Sequence, residues 1–392
     1  MPRNVLALSA VSLLNDVSSE IIYPLLPAFL VLTLGASPFA IGLIEGFAES
    51  AASILKLFSG YVSDRFGTRK LPVVLGYALA AVTRPFLGFA GSWDRILAIR
   101  VVDRLGKGLR GAPRDALIAD SIPAKDRGLA FWFNRAADHT GAVLGPLIGF
   151  ILVLLIAVDT QNPTATEYQW VFLFASIPVV AGLLVVVFYV KDKKHKVELE
   201  HVKLSLSGFD SNFKRYLVII AVFTLSNSTD AFLLLRAKDA GISAAMLPLL
   251  WGLLHVVKVV TSLIGGNLSD RFGRKSLIVS GWVVYALVYA GFAFVDSAWQ
   301  CWVLFLIYGV YFGFTEGVEK AFVADMVPDK LRGTAYGLYN LAFGITVFPA
   351  SLLFGLAWTT YGPTFAFLAS ASISVIAMLL MTTVRSVRRE IS

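Results

Sequence analysis

Apolar stretches long enough to cross a bilayer recur along the whole chain, and no other feature limits its fold as strongly. A spanning helix needs about 20 mainly apolar residues. The sequence predicts twelve such segments, at roughly 5–33, 38–62, 71–91, 94–118, 128–158, 169–190, 215–237, 244–268, 276–296, 299–321, 333–359 and 362–384. Of its 392 residues 57% are hydrophobic and 15% charged, against about 25% charged in soluble domains. The chain reads as an all-α, multi-pass membrane protein, not as a globular enzyme. Pro2 and Arg3 run into the first apolar segment with no small-residue cleavage site close behind. That segment is expected to serve as its own insertion signal.

The loops set an expected orientation. Basic connections at Asp64–Lys70, Lys125–Arg127, Lys191–Arg215, Arg271–Lys275 and Lys330–Arg332, with the tail at Arg385–Arg389, alternate with connections that lack Lys and Arg. Two local exceptions are Asp94-Arg95 and Arg236 to Asp239. The bias of Lys and Arg toward the cytoplasm places both termini there, in an inner or plasma membrane. It also accounts for the net charge of +8 without nucleic acid. The most charged connection divides the chain into an expected six-helix bundle at 1–190, a linker at 191–214 and a second bundle at 215–392.

Two internal repeats support this division. Gly60-Tyr61-Val62-Ser63-Asp64-Arg65-Phe66-Gly67-Thr68-Arg69-Lys70 matches Gly266-Asn267-Leu268-Ser269-Asp270-Arg271-Phe272-Gly273-Arg274-Lys275. Ala119-Asp120 through Pro123, Lys125, Arg127 and Gly128 matches Ala324-Asp325 through Pro328, Lys330, Arg332 and Gly333. The copies lie 206 and 205 residues apart, so two halves repeat in the same order. The third, sixth, ninth and twelfth segments carry almost no charge, Arg84 excepted, and read as peripheral, lipid-facing helices.

The fourth segment is the opposite. Arg100, Asp103, Arg104, Lys107, Arg110, Arg114 and Asp115 recur at three- and four-residue spacings, which a helix gathers on one face. Charges at membrane depth face a bundle interior or a watery cavity. The spacing therefore predicts the ionic wall of a cavity. At similar depth the first segment offers Asn15, Asp16, Glu20 and Tyr23, the second Glu45, Glu49 and Lys56, and the fifth Arg135, Asp138 and His139. Glu20 and Glu49 are expected to face Arg104 and Lys107. Possible ion pairs are Asp103–Lys107, Glu49–Arg104 and Asp115–Arg114. The second half is quieter, with Asn227, Asp230, His255, Lys258, Glu316, Glu319, Lys320 and Asn340.

The repeated G-x-x-x-D-R-x-G-x-R-K loop resembles that of the major facilitator superfamily, over essentially the whole chain. Gly141-Ala142-Val143-Leu144-Gly145-Pro146-Leu147-Ile148-Gly149 is similar to the G-x-x-x-G-P-x-x-G pattern of its antiporters and drug exporters, with Phe150 after the last glycine. Arg100 with Gly106 and Gly108 resembles a pattern whose Arg is linked to proton coupling, with Arg104 at its first glycine position. The resemblance implies two pseudo-symmetric six-helix bundles and a drug/proton-antiporter-like exporter. It further implies a gate on the side of the termini built from Asp64, Arg65, Gly67, Arg69, Asp120, Asp270, Arg271 and Asp325. The swapped pairs Arg114-Asp115 and Glu319-Lys320 are expected to meet across that gate.

Within such a cavity a carboxylate poised between desolvation and nearby cations can take and release a proton in each cycle. Asp16, Glu20, Glu45 and Glu49, with Arg100, are the candidates for coupling. The residues expected to meet substrate are Asn15, Tyr23, Lys56, Asp103, Arg104, Lys107, Arg110, Arg135, Asp138, His139, Asn227, Asp230, His255, Lys258 and Asn340. Arginine forks suit carboxylate or phosphate, so the cargo expected is a small polar, anionic or zwitterionic molecule. A structural ion-pair network is the other reading of the same cations. Import of an anionic nutrient or metal-chelating metabolite, and a non-transporting sensor on the same scaffold, are the alternatives to proton-coupled export. Cys301 stands alone, and Gly106-Lys107-Gly108 lacks the spacing of a nucleotide-binding loop. No cofactor, metal, catalytic residue or nucleic acid is expected, and the partners are substrate, protons and lipid, with the chain acting as a monomer.

Overall fold

The structure, a computed structural model, describes residues 1–66, 68–192 and 205–385; the side chains of residues 60–62, 64–66, 124 and 330 lie outside that description. It is all-helical, with twelve long helical segments: α1 (Arg3–Thr33), α2 (Pro38–Phe66), α3 (Lys70–Phe89), α4 (Trp93–Asp120), α5 (Arg127–Ile156), α6 (Ala165–Tyr189), α7 (Ser211–Asp239), α8 (Met246–Phe272), α9 (Arg274–Ala293), α10 (Ala298–Met326), α11 (Arg332–Tyr361) and α12 (Pro363–Met381). Eleven are long and apolar enough to cross a membrane; α4, which carries the charges, is the exception.

Local chemistry explains the irregular helices. In α1 regular helix stops at Ile22, where Pro24 and Pro27 remove backbone donors, and a π-helical turn follows at Phe29–Thr33. In α7 it stops at Ser226 and resumes at Ala231. The interruption, Asn227-Ser228-Thr229-Asp230, consists of side chains that compete for backbone hydrogen bonds. Tyr285 Oη caps one freed carbonyl, that of Ser226, at 2.5 Å. In α3, Pro85 tightens the last turns into a 3₁₀ helix at Arg84–Phe89. Capping boxes start α6 (Thr164 with Glu167) and α10 (Ser297 with Gln300).

Helix pairing repeats between the halves. α1 packs on α5 and α6, α2 on α4, α3 on α4 and α6; correspondingly α7 packs on α11 and α12, α8 on α10, α9 on α10 and α12. Between the halves, α2 meets α11 and α5 meets α8, one contact being the symmetry image of the other. The outer faces of α6, α9 and α12 expose Ile177, Phe188, Leu287, Ile376 and Leu379, as lipid contact requires.

Both halves begin and end together. Asn4 donates to the Lys191 carbonyl at 2.9 Å, and the Arg385 amide donates to Asn212 at 2.8 Å. At the far end the halves are joined. The Gln161 carbonyl accepts from Lys238 Nζ at 2.8 Å and from the Ala244 amide at 3.3 Å, while the Phe39 amide donates to Thr359 at 3.0 Å. Nearer the termini, Arg69 pairs with Asp120 and Arg274 with Asp325, each inside its own half.

Candidate functional site

The charges of α4 divide by burial. At 100° per residue, Arg100 to Asp115 cover an arc of about 140°. Three of the seven groups on it, Arg100, Asp103 and Arg110, are buried in the first half. Arg100 makes a two-pronged bond to Glu45 at 2.8 and 2.6 Å, and its other nitrogen lies 3.8 Å from Asp103. Arg84 donates to Asp103 at 3.0 Å and to the backbone and side-chain oxygens of Asn15 at 3.0 and 3.1 Å. Arg110 shares the Asn15 side-chain oxygen at 3.1 Å, donates to the Gly76 carbonyl at 3.0 Å and lies 4.4 Å over the Tyr77 ring. Two guanidiniums, Arg84 and Arg100, thus share the carboxylates of Asp103 and Glu45, and Arg110 joins them through Asn15 and the Tyr77 ring. Asn15, Glu45, Arg100, Asp103 and Arg110 are all buried. They form the interior of a bundle rather than the wall of a cavity.

The other four, Arg104, Lys107, Arg114 and Asp115, are less buried. Glu49 lies 3.6 Å from Arg104 and 3.5 Å from Lys107, whose side chain is 50% exposed. Nearer the termini end, Arg114 holds Asp115 at 3.0 Å and Ser12 at 2.8 Å, with Asp138 at 4.0 Å. Asp16 accepts from Asn15 at 3.0 Å, and Asn134 donates to Asp138 at 3.4 Å. Of the possible pairs, Glu49–Arg104 and Asp115–Arg114 are present; Asp103 turns away from Lys107 because Arg84 and Arg100 hold it.

Further contacts cross between the halves. Trp251 Nε1 donates to Glu20 at 2.7 Å, and His255 Nε2 lies 3.6 Å from the same carboxylate. Tyr23 Oη meets Thr229 at 3.3 Å. Ser50 donates to the Gly344 carbonyl at 2.6 Å. Arg135 donates to Glu316 at 3.0 Å, while Lys258 reaches that carboxylate at 2.8 Å from its own half and sits 4.3 Å over Phe312. Close approach of α5 to α1 underlies this geometry: a Cβ on Gly141 or Gly145 would sit 2.7 Å from Leu13 O and from the Glu20 Cβ respectively. Glu20 thus takes its hydrogen bond from α8, while Arg104, whose charge still reaches Glu20, pairs with Glu49; a helical depth does not fix an azimuth.

The remaining candidates are scattered. In the second half Asp230 accepts from Tyr308 at 2.7 Å and Asn227 donates to Tyr311 at 3.3 Å. His139 is half-buried on α5, and Asn340 is exposed on α11. Lys56 and Lys320 are exposed, with no carboxylate within 4.0 Å among the described residues. Glu319 does not meet Arg114. It is buried among its own helices, accepting from Trp282 at 3.2 Å and Tyr339 at 2.6 Å. Among the described residues no group of three His, Cys, Asp or Glu can hold a metal ion.

The two loop motifs place one arginine alike. Arg69 pairs with Asp120 and donates to the Ala116 carbonyl at 3.3 Å. Arg274 pairs with Asp325 at 2.8 Å and donates to the Ala321 carbonyl at 2.5 Å. The second copy thus engages Arg274, whereas Asp270 and Arg271 are exposed at the end of α8. Gly67 and the side chains of Asp64 and Arg65 lie outside the described residues. Sequence reasoning passed over Arg84, Trp251, Tyr308 and Arg274. Arg84 had a signal, as the one charge inside the third span, and so had Arg274, as the penultimate residue of a motif one residue shorter.

A two-fold repeated bundle of twelve helices around a charged cleft is the architecture of a membrane transporter that alternates access. The chain belongs to the Major Facilitator Superfamily, whose family model matches residues 8–345 and 204–391. It is 34% identical to an "uncharacterized MFS-type transporter" of Methanocaldococcus jannaschii over 97% of this chain and 94% of that one. It is 23% identical to "multidrug resistance protein MdtG" of Enterobacter lignolyticus over 84% of this chain and 79% of that one. A crystal structure of a mutant of the nucleoside transporter NupG superposes with a TM-score of 0.81 at 13% identity, covering 97% of this chain and 99% of that one.

Proposed function

We propose that this chain is a proton-coupled antiporter that exports a small polar, anionic or zwitterionic molecule from the side of its termini. One observation carries the reading: the Glu20 carboxylate belongs to α1, yet its donor Trp251 and its neighbour His255 belong to α8. Donors that face a carboxylate stabilise its ionised form. Opening the far end separates α1 from α8 and withdraws those donors. Glu20 then takes a proton from the far side and releases it toward the termini when the donors return. A group whose proton affinity differs between two conformations ties proton binding to the conformational equilibrium.

Export rather than import is supported by the Gly141–Gly149 packing on α1 beside Glu20 and by the multidrug resistance relative. The cationic cleft favours import of an anion as the second reading. Inside-out vesicles carrying an acid-interior gradient separate the two. Under export, candidate substrates collapse the gradient and accumulate inside. Accumulation only under the reversed gradient would establish import.

A further inference from the structure

Most cleft charges are matched, but one group is not. Arg135 of α5 and Lys258 of α8 both bind the single carboxylate of Glu316. Lys320 stands four residues beyond Glu316 on α10, on the same helical face. Lys56 projects from α2 in the other half, its stem lying along Gly111 of α4. Lys320 feels the charge of Glu316 first and then those of Arg135, Lys56 and Lys258, while the cations that act on Lys56 are Lys107 and Arg114. The acids that act on Lys56 are already engaged, Asp115 by Arg114 at 3.0 Å and Glu49 by Arg104 and Lys107. Three cations thus surround the Glu316 carboxylate where the halves approach, and Lys56 adds a fourth beside them, with Lys56, Arg135 and Lys320 exposed. Uncompensated charge of one sign at membrane depth is costly, and the cheapest remedy is a mobile counter-ion.

We propose that Lys56, Arg135, Lys258 and Lys320 form a binding site for a small organic dianion that bridges the two halves. Lys56 and Lys320 supply the two unmatched charges, one from each half. Arg135 supplies a planar fork suited to carboxylate or phosphoryl oxygens. Bound there, the dianion neutralises like charges that otherwise oppose closure of the termini end, so a loaded carrier closes more readily than an empty one. The inference rests on the transport reading for its role, but the binding itself is independent of it.

The test uses the purified full chain in detergent. Succinate, glycerol 3-phosphate and inorganic phosphate are the dianions; succinamate, which keeps the shape of succinate with one charge, is the control. Binding is followed by calorimetry on wild type, Lys56→Gln, Lys320→Gln and the double variant, with gel filtration to verify folding. At least one dianion is expected to bind tenfold or more tightly than succinamate. Each single variant is expected to weaken it about tenfold, leaving succinamate nearly unchanged. Equal affinity for succinate and succinamate with no tighter phosphate, no binding by any of the three, or wild-type affinity in the folded double variant overturns the site. Proton-coupled transport of other compounds in vesicles, with no dianion bound, removes the site and leaves the antiporter reading; dianion binding without proton coupling does the reverse.

Discussion

Arg84 is the residue whose removal should cost the fold most for its size. It arrives from α3, is 3% exposed, and donates to Asp103 and to both oxygens of Asn15. Breaking a buried ion pair by removing one partner leaves an uncompensated charge and costs about 3–5 kcal/mol. Arg84→Met is expected to lower the thermal midpoint in detergent accordingly, and Arg84→Lys to restore little, since an ammonium cannot replace a fork. An unchanged midpoint for Arg84→Met would mean that Arg100 alone holds Asp103. Glu20→Gln makes a different prediction. The amide keeps an oxygen for Trp251 but cannot ionise, so exchange of labelled substrate should persist while proton-driven accumulation is lost. If accumulation survives, another carboxylate carries the proton. The identity of these residues was legible as charge at membrane depth; their partners were not, because spacing gathers residues on a face without saying which helix that face meets. Asp103 and Lys107 share a face of α4, yet one lies in a sealed network and the other in water.

At the level of helices, the spans and their duplication were readable from hydropathy and from two repeated loops, and the observed bounds shift by a few residues. What hydropathy could not show is where α1 and α7 break, since the determinants are the proline pair and the four polar residues within otherwise apolar runs. Those breaks bring Tyr23 to Thr229 at the far end. Beside them α2 crosses α11 so closely that a Cβ on Gly42 would overlap the Ser351 carbonyl. Gly42→Val should therefore disfavour the joined far end and shift the population toward the other conformation. Labelling of an introduced Thr229→Cys by a membrane-impermeant maleimide from the far side is expected to rise several-fold over the same cysteine in the Gly42 background; unchanged labelling would show that the helices yield locally instead.

Across the whole molecule, the Arg69–Asp120 and Arg274–Asp325 pairs fasten the same joint in each half. Effects of distant sites with no shared partner add to within about 0.5 kcal/mol. Arg69→Gln and Arg274→Gln should thus lower stability additively, as read by denaturation of the single and double variants; strong non-additivity would reveal a coupling across the cleft. The unmatched cations of that cleft have an electrical consequence. Under the proposed exchange, a dianion leaving and one proton entering move three charges in the same sense. Each is worth about 2.3 kcal/mol per 100 mV, so a membrane potential of that size contributes about 7 kcal/mol per cycle. A carrier built in this way runs chiefly on voltage, and clamping the vesicle potential to zero with potassium and valinomycin should slow it even with the full proton gradient in place.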